Sequence, residues 1–206
     1  TWQMDEKGAI WYEEDHVVKF IKKYNDYIEK VISRILDYNP EVIGFTVYST
    51  SRHFSYELAR RIKEKDNKKI IIFGGPQCFK NGEGLDILKK KYVDAVCLGE
   101  GDIAFPKMLD GINTNKGILK ESPGFGIRDE KGSIVIGIEE ELVKDLNSLP
   151  YADYTDFDID KYVKKLLPIS TSRGCFGRCK FCSESPHWKK YRFREANNIY
   201  QEIFYQ

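Results

Sequence analysis

Nothing in these 206 residues approaches the run of about eighteen apolar side chains that a bilayer-crossing helix needs. No short apolar core behind a basic start marks a secretory leader either. With 33 Lys and Arg against 32 Asp and Glu, the net charge of +1 gives no overall electrostatic case for a nucleic-acid or membrane partner. Cysteine is sparse and odd in number, 5 in all, which excludes a disulfide framework and points to a reducing compartment. A cytoplasmic, globular protein is expected. The chain opens at Thr1 rather than at a methionine and carries a helical spacing of Ile199, Ile203 and Phe204 to its last residues, so a piece of a longer protein is expected.

The few cysteines are not scattered. Cys175, Cys179 and Cys182 stand in a C-x3-C-x2-C spacing within S-R-G-C-F-G-R-C-K-F-C, Ser172 to Cys182. Three thiolates from one tight loop can serve one metal site without long-range folding, and a four-iron cluster is held by such thiolates, with one iron left open when the protein supplies three. Gly174 and Gly177 let the backbone curl around a bulky inorganic group. Arg173, Arg178 and Lys180 favour the thiolate form. Zinc is the alternative, with His187 completing a Cys3His set, although zinc sites usually pair two C-x2-C knuckles and this loop has one.

Upstream, strand and helix patterns alternate. Val17, Ile21, Tyr24, Ile28, Val31, Ile32 and Ile35 mark one face of a helix that starts near His16 and ends before Pro40; before it, Trp2 and Trp11 are the apolar anchors. Strands are expected at Val42 to Val47, Lys69 to Phe73 and Val93 to Leu98, with helices at Phe54 to Lys65, Glu83 to Lys91 and Asp102 to Asp110. Short apolar strands separated by helices predict a doubly wound α/β fold, a flavodoxin-like or Rossmann-like parallel sheet covered on both faces.

Ligands of such sheets bind beyond the carboxyl ends of the strands. Three loops converge there: Tyr48 to Ser51, Gly74 to Gln77, and Gly99 to Asp102. Their glycines admit close backbone approach and their hydroxyls can bond a polar rim. Equally, they read as ordinary turns with Asp102 capping the next helix. Residue chemistry alone leaves both open. Cys78 and Cys97 read as packed or half-exposed side chains, and His53 opens a helix near the same edge.

The motifs together resemble a known family. C-x3-C-x2-C with Phe181 directly before the last cysteine resembles the cluster loop of radical S-adenosylmethionine (radical SAM) enzymes. L-L-P-I-S-T-S-R-G-C, from Leu166 to Cys175, resembles the first barrel strand and loop of the subgroup that carries a cobalamin-binding domain. I-I-I-F-G-G-P-Q and V-C-L-G-E-G-D-I-A-F look like the two signature loops of that domain. The resemblance implies that Ser49, Thr50, Gly74, Gly75, Gly99, Glu100 and Gly101 hold cobalamin. It also implies that Cys175, Cys179 and Cys182 hold a [4Fe-4S] cluster that binds S-adenosylmethionine, with Phe181 near the adenine. The implied activity is radical methyl transfer or a related radical reaction on a small-molecule or unknown substrate, with an electron donor such as flavodoxin or ferredoxin. A D-x-H-x-x-G element is absent, since Lys19 stands where Glu14-Asp15-His16 would need a glycine, so no axial histidine is expected. No strand precedes the His16 helix, and the first sheet strand is expected upstream of Thr1.

Beyond the sheet, Phe125 to Ile127 and Ser133 to Ile138 flank Asp129-Glu130-Lys131-Gly132 as a hairpin, after a loop from Gly111 to Gly117. Val143 to Asp160 reads as an extended connector pressed on a surface. Leu166 to Ser170 reads as a barrel strand and Glu195 to Gln206 as its helix. Expected boundaries are 1–112 for the cobalamin-binding-like domain, 113–164 for hairpin and linker, and 165–206 for the start of a radical SAM domain, too short to be active alone. Pro186 to Arg194, P-H-W-K-K-Y-R-F-R, interleaves basic and aromatic residues but is a thin nucleic-acid footprint. The competing reading is a non-catalytic flavodoxin-like binding module with a zinc-clamped tail.

Overall fold

A computed structural model describes residues 11–114, 122–129, 131–138, 142–162 and 166–206. Trp2, residues 115–117 of the expected loop and Glu130 of the expected turn lie outside them. The chain divides into two compact units, residues 1–141 and 142–206.

The first unit is built on a five-stranded sheet in the order β1-β2-β3-β4-β5. Val42–Thr46 (β1), Ile70–Gly74 (β2) and Ala95–Cys97 (β3) are parallel. Phe125–Arg128 (β4) and Ile134–Ile136 (β5) continue it antiparallel. The fold class is α/β as read from the sequence, and the hairpin expected in the connecting segment extends this sheet: Val96 pairs with Gly126 and Cys97 with Phe125.

Strand β2 shows why its sequence is continuously apolar. Ile71 and Phe73 enter one core with Val96, Ile28, Ile32, Ala59 and Ile62. Ile72, between them, enters the opposite core with Ala95, Met108, Ile112 and Ile127. Successive side chains point to opposite faces, so a strand covered twice must be apolar at every position.

Helices α1 (Glu14–Lys23), α2 (Asn25–Asp37), α3 (Arg52–Lys65) and the five-residue α4 (Gly84–Leu88) contribute to the first core, and α5 (Gly101–Asn113) to the second. The single helix expected before Pro40 is two, broken where Tyr24 leaves the helical basin (φ −112°, ψ 26°) and its ring packs on Phe20 with centroids 4.6 Å apart.

The second unit holds a short antiparallel pair, Ser172–Arg173 (β6) with Arg192–Phe193 (β7), and helices α6 (Glu184–Trp188) and α7 (Ala196–Tyr205). Leu166 to Ser170, expected as a strand, has no sheet partner among the described residues; the sheet bonds begin two residues later. The 142–162 segment does press on this unit, through Glu195 N–H to Asn147 Oδ1 (2.8 Å), Arg192 Nη1 to the Val143 carbonyl (2.7 Å) and Tyr154 hydroxyl to the Pro168 carbonyl (2.9 Å). No described helix is long and apolar enough to cross a membrane.

Candidate functional site

At the carboxyl edge of the parallel strands, the first two of the three predicted loops interlock. Val47 N–H donates to the Gly74 carbonyl (2.7 Å), and Gln77 N–H donates back to the Val47 carbonyl (3.3 Å). Ser51 Oγ accepts from Tyr48 N–H at 3.0 Å and closes the first loop from within. Ser49 and Thr50, by contrast, spend their hydroxyls on no partner among the described residues, which leaves both able to bond a ligand.

The glycines separate into two kinds. Gly75 has φ +99°, and an added Cβ would lie 2.9 Å from Thr46 Cγ2 and 3.0 Å from Val47 N. Its lack of a side chain is demanded by its own neighbours, whatever binds above. Gly101 is different. An added Cβ there would lie 3.7 Å from Phe105 Cβ and 3.8 Å from Cys97 Sγ, ordinary contacts, and its φ is not positive. Nothing among the described residues requires glycine at the first position of α5, where it is a poor helix former.

Cys97 is the floor beneath both loops. An added Cβ at Gly74 would meet its Cβ at 3.6 Å, and its thiol lies 3.8 Å from the Gly99 and Glu100 carbonyls. Sequence reasoning took it for a packed residue without seeing what rests on it. Cys78 is fully buried rather than half-exposed, and burial pushes its thiol up to about 12. Glu100, predicted as a ligand contact, is buried at 2 % exposure, and it, not Asp102, holds the capping position of α5. Asp102 lies in the first turn, where its charge favours the helix dipole.

His53 turns toward α1. Its Nδ1 lies 3.9 Å from Glu14 and its Nε2 accepts from Arg52 Nε at 3.1 Å. It lines a cleft of about 390 Å³ with Glu14, Tyr56, Arg60 and Lys90. The arginines of this cleft are already engaged, Arg60 by Glu57 and Glu64, Arg61 by Glu57 and Glu29. Burial, and then the charge of Arg52, lower the His53 pKa. Because the unfolded imidazole takes up its proton first as pH falls, the native state loses stability as pH falls from about 6.5 through the lowered value. We expect the urea midpoint to drop between pH 7.5 and 5.5, and to drop less in His53→Gln.

The second candidate, the cysteine loop, lies in the other unit. Its approach is fixed by β6 and by Gly174, whose φ is +85° and where a Cβ would sit 2.5 Å from the Lys190 carbonyl oxygen. Gly177 N–H donates to Cys175 Sγ (3.3 Å), and Cys182 N–H to the Cys179 carbonyl (3.1 Å). A Cβ at Gly177 would meet the sulfurs of Cys175 at 3.4 Å and Cys179 at 3.7 Å, so the missing side chain leaves the hollow between two thiols open. Cys175 and Cys179 are exposed and Cys182 is half-buried. Among the described residues no three such donors close on one point. His187 is buried against Trp188 and completes no Cys3His set with them. Phe181 projects from the loop at 93 % exposure.

With this geometry in place, comparison with known proteins defines the class. Residues 9–109 match the B12 binding domain family. The chain is 27 % identical over 208 residues to an uncharacterized methyltransferase of Pyrococcus horikoshii, covering 95 % of this chain and 43 % of that protein. A cobalamin-dependent radical SAM methyltransferase, TokK of Streptomyces tokunonensis, is 22 % identical over 186 residues, 87 % of this chain and 26 % of its own length. Among solved structures, the cobalamin-dependent S-adenosylmethionine radical enzyme OxsB with aqua-cobalamin bound superposes with a TM-score of 0.67 at 22 % identity, over 86 % of this chain and 24 % of that one. The first unit is thus a B12-binding domain. The chain is homologous to proteins that include a cobalamin-dependent radical SAM methyltransferase, and it spans less than half the length of these relatives.

Proposed function

We propose that this chain is part of a cobalamin-dependent radical SAM enzyme that carries out radical methyl transfer or a related radical reaction. Cobalamin lies on the loop edge of the B12-binding domain, against Gly101, with Ser49 and Thr50 bonding its polar rim. Glu100 and Gly75 act from within, holding the loops. Cys175, Cys179 and Cys182 hold a [4Fe-4S] cluster, Gly177 leaves room for it, and Phe181 lies against the adenine of S-adenosylmethionine. The cofactors, when bound, supply one-electron cleavage of S-adenosylmethionine and a transferable methyl group. This chain's residues bind and orient them.

The observation that carries the cobalamin assignment is Gly101, a glycine that the fold itself does not need, at the head of a helix in a matched B12-binding domain. The test is to mix the protein with hydroxocobalamin, desalt it and record the visible spectrum. Gly101→Leu should lose the corrin bands while keeping its circular dichroism, and Gly44→Ala, whose methyl meets open space, should keep both. Equal corrin retention in Gly101→Leu would remove cobalamin from this edge.

A further inference from the structure

The first unit holds a second concave place besides its loop edge, the cleft of about 390 Å³ between α1 and α3, whose lining Lys90 and Tyr92 complete from the turn before β3. None of the residues placed against cobalamin lines it. Its volume is that of a small-molecule site, and Val17, Val18 and Ile21 give it an apolar wall on α1.

The groups already engaged decide what the cleft can take. Glu57 accepts from both Arg60 and Arg61, and Glu64 and Glu29 take the remaining donors of these arginines, so neither guanidinium is open to a ligand. Glu14 stands exposed at the rim, facing His53. Four other donors are unspent. The side chains of Lys22 and Lys90 make no ion pair or hydrogen bond with a described residue, and the Lys90 ammonium lies 4.4 Å over the Tyr56 ring. The hydroxyls of Tyr56 and Tyr92 make no hydrogen bond with a described residue, yet neither is sealed from solvent. Burial raises the pKa of both phenols, that of Tyr92 to about 12, so both keep the proton they would donate.

We propose that this cleft binds an organic phosphate monoester with a compact apolar body. Two unpaired ammoniums match the roughly two negative charges that such an ester carries at neutral pH. Lysine serves a phosphate as a point charge, without the planar fork that arginine offers a carboxylate. The two phenols supply further donors to its oxygens, and the α1 wall covers the apolar body. A neutral ligand would leave both ammoniums unpaired, and a cation would meet two like charges.

The experiment is a titration of the isotope-labelled chain with phenyl phosphate, benzoate and benzyl alcohol, followed by amide NMR shifts. Phenyl phosphate should shift amides of α1, α3 and residues 90–92, and bind roughly tenfold more tightly than benzyl alcohol, with benzoate between them. Lys22→Gln/Lys90→Gln should weaken phenyl phosphate by about tenfold, and Tyr92→Phe, which keeps the ring, by about threefold. Lys107→Gln, exposed on α5, should bind as the parent does. Every variant should retain hydroxocobalamin. No shift at these amides, equal binding of benzyl alcohol or benzoate, or full affinity in a folded lysine double variant overturns the site. Loss of the corrin bands from that double variant overturns it as a separate site, because the lysines would then belong to the cobalamin edge.

Discussion

Gly174→Ala is expected to destabilise the second unit by roughly 2 to 5 kcal/mol, combining the strain of a left-handed backbone at a non-glycine residue with overpacking. The reason is local. With φ at +85° and backbone of Lys190 and Tyr191 within 3.1 Å of the new methyl, the side chain has no rotamer by which to escape. The methyl pushes directly on the turn that holds β6 against β7, so the cysteine loop loses its anchor although no thiol is touched. Chemical denaturation followed by Trp188 fluorescence should show the loss, and iron uptake should fall with it. Gly177→Ala is the informative contrast: its methyl meets sulfur at 3.4 and 3.7 Å rather than backbone, so stability should survive while iron uptake declines. Equal iron uptake by both variants would mean that the loop does not cradle the metal.

The second large effect is expected at Glu202. Its side chain and that of Arg194 are 4 % and 9 % exposed, and the pair ties α7 to the chain that leads into the cysteine loop. Arg194 also donates to the Ser170 carbonyl (2.9 Å) and Asn198 Oδ1 (2.7 Å), while Glu202 accepts from Ala152 N–H (3.3 Å). Glu202→Ala leaves a guanidinium buried without its counter-charge, at a cost of about 3 to 5 kcal/mol. Arg194→Met/Glu202→Leu should recover much of that, since an apolar pair avoids the desolvation of two ions. Urea denaturation of the three proteins checks both statements; a double variant as weak as Glu202→Ala would show that the bonds to Ser170 and Asn198, rather than the unpaired charge, carry the stability.

Much of this protein could be read from local pattern. The apolar runs at Val42, Ile70 and Val93 became parallel strands because a strand covered on both faces needs apolar residues at every position. The glycine and hydroxyl loops fell at the carboxyl edge because that follows from the alternation of strand and helix. The C-x3-C-x2-C spacing is itself local, which is why the cysteine loop was legible without any fold.

What sequence could not decide were matters of contact at a distance. Pattern alone could not show that the hairpin at Phe125 and Ile134 joins the parallel sheet, because strand pairing is set by the neighbour that covers the same apolar face. It could not separate Gly75, needed by Thr46 and Val47, from Gly101, which no neighbour requires; both read only as glycine. It assigned Glu100 to the ligand edge, where the fold buries it, and it could not show that His53, which opens a helix near that edge, turns toward Glu14. It left the basic stretch after Pro186 as an isolated run of nine residues, until β6 and β7 brought it beside the cysteines. Sequence by itself determined the class of fold and the residues able to carry chemistry, since periodicity and ligand spacing are properties of neighbouring residues. Tertiary structure decided which of those residues face outward and which hold the others in place, since burial and charge environment depend on residues far apart in the chain.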